Sequence, residues 1–73
     1  MRSYFLDLLA VKERRQGGRI SLRSVARETG LNEYTVRGFA KNTLTEYPAK
    51  AIAAVCLYLD CGVGDLLRLE ETD

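Results

Sequence analysis

In "SLRSVARETGLNEYTVRGF", residues 21 to 39, two helix starts and one helix stop follow one another closely. Ser21 is a residue type that caps a helix start, and Leu22, Val25 and Ala26 follow it on one helical face. Gly30 suits the left-handed conformation that ends such a helix. Asn32 then offers an oxygen to the free amides of another helix, with Glu33 favourable beside the positive end of its dipole. Val36, Phe39 and Ala40 turn inward from that helix. Ala26 is small enough for the two helices to approach closely, while Val25, Leu31, Val36 and Phe39 fill the angle between them.

Working outward, Phe5, Leu8 and Leu9 stand at i, i+3 and i+4, so a first helix is predicted with Ser3 as its N-cap and Gly17-Gly18 as its stop. After the loop "TLTEY", Pro48 fits the first turn of a fourth helix, where a missing amide hydrogen costs nothing. Ile52, Val55, Cys56 and Leu59 mark its inner face. "DCGVGD" ends it and opens a short fifth helix carrying Leu66 and Leu67. Only "LLRLE" hints at the period-two alternation of a strand. The expected architecture is all-α, five helices in one domain spanning residues 1–73.

Composition narrows the function. The chain has 73 residues, no histidine and two cysteines. A zinc site from the usual ligand spacings is therefore not expected, and no cofactor is implied. Cys56 and Cys61 are expected to be small buried hydrophobes. No apolar run reaches the ~20 residues of a membrane span, and Asp7 and Lys12 interrupt the N-terminus, so a soluble, cytoplasmic protein is expected. With no histidine and no nucleophile turn, an enzyme is not.

Net charge is +1, but it divides along the chain. Through residue 41, nine Lys/Arg face four acids, a balance of +5; residues 42 to 73 hold two bases and six acids, a balance of −4. A basic half attracts a phosphate backbone through counterion release.

The spacing of residues 21 to 40, with "LLAVKERR" before it and "AIAAVCLYLDCGVGDLL" after it, resembles the Cro/C1-type (XRE-like) helix-turn-helix family of bacterial and phage regulators. "LDCGVGDLL" is similar to the ending of its short, cysteine-containing branch. The resemblance implies a compact five-helix, lambda-repressor-like domain. It also implies a transcriptional regulator that binds duplex DNA, commonly as a homodimer. The chain departs from the family at Leu22, where many relatives carry a phosphate-contacting glutamine; Ser21 and Arg23 are the candidates to replace that contact. It also has Lys41-Asn42 where relatives often end the helix in glycine, and Asn42 adopts a left-handed conformation at modest cost.

Helical geometry proposes the readers. With Val36 and Phe39 inward, Tyr34, Arg37, Gly38 and Lys41 form the opposite stripe. Arg37 is the first candidate for a base contact, since a guanidinium donates twice to guanine, while Lys41 suits phosphate. Asn32, Glu33 and Tyr34 lie where this motif probes base edges, and Glu33 suits cytosine N4. Gly38 is expected to bring the backbone close to the groove floor, so that Gly38→Ala stabilises the fold and weakens binding. Arg19, Arg23 and Arg27 are either backbone contacts or ordinary solvated charges.

On the fourth helix, Ala53, Ala54, Leu57 and Tyr58 form an apolar outer face. It is a homodimer or partner interface, or it covers the first helix. The alternative function is accordingly a protein-interaction module of the same fold, antitoxin-like or adaptor, working through that face.

Overall fold

A computed structural model describes residues 1–69. Glu70, Glu71 and Asp73, counted above in the acidic half, lie outside the described residues, as does the last residue of "LLRLE". The described elements are β1 (Arg2–Ser3), α1 (Phe5–Gln16), α2 (Leu22–Thr29), α3 (Glu33–Lys41), α4 (Ala49–Leu59), α5 (Val63–Leu66) and β2 (Leu67–Arg68). The architecture is all-α, with one short antiparallel ladder, Arg2 opposite Arg68 and Ser3 opposite Leu67, closing the two ends of the chain.

The ladder corrects two expectations. Leu67 continues into β2 instead of α5, and both Leu66 and Leu67 are buried. Ser3 is not the cap of α1; that position is Tyr4, which makes no side-chain cap bond. Ser3 is drawn into the ladder instead, although its Oγ still accepts from Phe5 N at 3.1 Å. Asn42 completes this closure with its side chain. Its Oδ1 accepts from Ser3 N at 2.5 Å and its Nδ2 donates to Ser3 O at 3.2 Å.

Most helix ends follow local chemistry. Ser21 Oγ accepts from Ser24 N at 3.1 Å, and Asn32 Oδ1 accepts from Thr35 N at 2.7 Å. Gly30 stops α2 at φ 78°, its N–H donating to Ala26 O. Asn42 stops α3 at φ 58°, its N–H donating to Gly38 O. Pro48 sits one residue earlier than expected, as the cap of α4, and its carbonyl accepts from Ile52 N at 3.0 Å.

Around one core, α1 supplies Phe5 and Leu9, α2 Val25, α3 Val36 and Phe39, and α4 Val55. The Phe39 ring lies 6.2 Å from that of Phe5 and 5.2 Å from that of Tyr47, so α3 is anchored on both the N-terminal helix and the loop before α4. Ile20 also joins the core from the link after α1. Its amide donates to Glu13 Oε2 at 2.7 Å, which folds that link back on the helix.

Candidate nucleic-acid interface

The two caps and the glycine stop position this surface. They satisfy backbone groups at both ends of α2 and at the start of α3, Asn42 closing the end of α3, while Val25, Val36 and Phe39 fix the inner faces in the core. The outer face of α3 is left clear. Asn32, Tyr34, Arg37 and Lys41 are exposed, Tyr34 at 77%. Ser21 and Arg23 are exposed on the α2 side, as are Arg19 and Arg27.

Two residues behave differently from the expectation. Glu33 is half-buried and lies between two arginines, with Oε1 3.2 Å from Arg23 Nε and Oε2 3.8 Å from Arg37 Nη2. The contact to Arg37 is an i, i+4 pair visible in the sequence. The one to Arg23 spans ten positions and exists only once α2 and α3 meet.

Gly38 is buried rather than part of the outward stripe. A methyl group built on it would stand 2.5 Å from Leu44 Cδ2, with Leu44 Cγ also in its way. The loop after Asn42 folds back and lays Leu44 over this position, something helical spacing alone does not reveal. The expected stabilisation by Gly38→Ala is therefore reversed in sign: overpacking costs about 1 to 3 kcal/mol and outweighs the ~0.5 to 1 kcal/mol of helix propensity.

The outer face of α4 divides. Ala53 is exposed and Leu57 is 83% exposed, but Ala54 and Tyr58 are half-buried. Lys12 Nζ lies 4.4 Å from the Tyr58 ring centre and donates to Tyr58 O at 3.1 Å. Tyr58 Oη donates to Glu28 Oε2 at 3.3 Å. Burial first, then the Glu28 carboxylate, raises the Tyr58 hydroxyl above its usual pKa. So Tyr58 covers α1 and α2, whereas Leu57 stays largely exposed among the described residues.

Cys56 is buried in the core and Cys61 half-buried beside it, both as free thiols. Burial, reinforced by the neighbouring Cys56, pushes the Cys61 thiol up to about 11, so it stays protonated and a poor nucleophile at neutral pH. Among the described residues no group of three or more His, Cys, Asp or Glu is placed to hold a metal, and no helix is long and apolar enough to cross a membrane.

Two short helices joined across a left-handed glycine, the second with a polar face clear of the body, define a helix-turn-helix domain. A family model for the Cro/C1-type HTH DNA-binding domain matches residues 12–72, and the chain belongs to that family. No curated protein and no solved structure matches it. The family binds DNA and performs no catalysis, so DNA is the partner of this chain and regulation through DNA binding its general role.

Proposed function

We propose that this chain is a sequence-specific transcriptional regulator that lays α3 in the major groove of duplex DNA and works as a homodimer on a palindromic site. The observation that carries this reading is the outer face of α3, where Asn32, Tyr34, Arg37 and Lys41 are exposed together on a helix already capped at both ends. Such a helix is rigid before its ligand arrives, so binding does not have to order it.

Arg37 reads a guanine through its planar donors, and Lys41, in the last turn, neutralises a phosphate. Ser21 and Arg23 flank the groove as backbone contacts at the α2 N-terminus. Asn32 has its Oδ1 committed to Thr35 N, which leaves its Nδ2 donors for a base edge. One helix from one small domain makes a limited interface, which favours pairing, and a two-fold dimer spaces its reading helices ~34 Å apart, one turn of DNA. Leu57, exposed on α4, is the contact for the second copy. The same exposure favours a second reading, in which Leu57 meets a different protein.

The test is duplex binding over a range of salt. Arg37→Ala should lower specific affinity by about 1 to 3 kcal/mol and relax preference at one base pair, whereas Lys41→Ala should weaken all duplexes alike and reduce the salt slope by about one. Binding that is absent, or indifferent to salt, overturns the proposal.

A further inference from the structure

Glu33 holds one arginine with each carboxylate oxygen, and the two arginines come from different helices. Arg23 Nε on α2 is 3.2 Å from Oε1, and Arg37 Nη2, one turn along α3, is 3.8 Å from Oε2. The carboxylate is the least exposed of the three groups, at 44% against 84% for Arg23 and 56% for Arg37. It bridges α2 and α3 at the surface, with its charge beside the exposed side chains of α3.

We infer that Glu33 is a specificity-determining positioning residue, acting through Arg37 and Arg23 rather than by touching a base. This rests on the DNA-reading role of α3 proposed above. Two physical effects follow from the geometry. A free arginine samples many rotamers, and ordering it on a ligand is unfavourable; a carboxylate with one arm on each guanidinium narrows both distributions in advance. Arg23 donates its Nε–H to Glu33, whereas Arg37 at 3.8 Å is held by charge without a hydrogen bond, so N–H donors remain on each planar group.

The second effect is charge. A carboxylate beside two guanidinium groups leaves one net positive charge where there would be two. Its negative charge opposes phosphate whatever the sequence, whereas a guanine edge carries no net charge and meets no such opposition. Glu33 thus lowers general affinity and raises discrimination. Exposed ion pairs add little to stability, so the role belongs to binding and not to folding.

The experiment uses the full chain, a duplex selected by the wild type from a random-sequence pool, and a scrambled duplex of equal length, titrated at several salt concentrations. Glu33→Gln, which removes the charge, should tighten binding to the scrambled duplex several-fold, steepen the salt slope by about one, and lower the selected-to-scrambled ratio by roughly tenfold. Glu33→Asp keeps the charge on an arm one methylene shorter. It should leave scrambled binding at the wild-type level and still lose discrimination. Thermal midpoints should shift by no more than a few degrees in either variant.

A Glu33→Asp variant with the full wild-type ratio overturns the positioning role. Glu33→Gln that changes preference at a single base pair, with scrambled binding unchanged, makes Glu33 a direct reader and also overturns it. If the wild type itself binds neither duplex in a salt-dependent way, the DNA reading of α3 fails first. That result is distinct from one in which wild type and variants discriminate equally.

Discussion

Helices α3 and α4 turn their inner faces to the same core, but their outer faces differ in kind. On α3 the outer face is polar and cationic, and both helix ends are satisfied by Asn32 and Asn42. On α4 the start has no side-chain cap and the outer face is built from Ala53, Ala54, Leu57 and Tyr58. The polar face stays clear of the body. The apolar one is partly drawn down, with Tyr58 folded under Lys12 and against Glu28, and Leu57 is the large side chain of that face left outside, beside the small Ala53. A helix face is available to a ligand when its chemistry makes water an adequate alternative to protein contact, and on α4 that condition fails residue by residue.

The harshest way to break this contrast is to remove what the two helices share. Phe39 is fully buried and its ring bridges Phe5 of α1 and Tyr47, just before α4. Phe39→Ala should cost about 3 to 5 kcal/mol, a large part of the stability of so small a chain. Circular dichroism at 25 °C should show helicity lost as a whole, since both helices rest on one core. Helicity and a denaturation midpoint that both stay at wild-type values would mean that the ring bridge does not couple them.

A smaller perturbation acts on α3 alone. Gly38→Ala should lower stability by about 1 kcal/mol, the balance of overpacking against helix propensity. In a Leu44→Ala background, where the obstructing atoms are gone, the same change should become neutral or stabilising. Denaturation of the four members of this cycle measures the coupling directly. Gly38→Ala that stabilises the otherwise wild-type chain would show that Leu44 swings aside freely and that the loop does not pack on α3.

Much of this was legible in the chain because the rules involved are local. Ser21, Gly30 and Asn32 announce the ends of α2 and α3 within a few residues of the groups they satisfy, and the i, i+3, i+4 spacing of Val36, Phe39 and Ala40 orients α3. What escaped depends on contacts closed across the chain. Ser3 is diverted from capping by residues 42 and 67, Leu44 reaches back over Gly38, and Glu33 meets Arg23 only after the turn has formed. Gly38 illustrates the limit well: helical spacing put it on the outward stripe, but spacing could not report that a returning loop lays Leu44 over it and buries it.

The gentlest test separates the two outer faces by charge. Leu57→Glu places a carboxylate where a side chain already lies in solvent, so stability should change by no more than about 0.5 kcal/mol. Any larger consequence must therefore come from a second molecule. If Leu57 is the contact between copies, sedimentation should show a wild-type dimer and a monomeric variant, because the two-fold axis would bring like charges together in a desolvated interface. DNA affinity should then fall through loss of the second reading helix, while the base preference of each half-site, proposed above to come from α3, stays as it was. A variant that still dimerises removes α4 from the interface. One that remains dimeric but changes half-site preference would mean that the two faces are coupled through the core, and the division between a DNA-facing α3 and a copy-facing α4 would have to be abandoned.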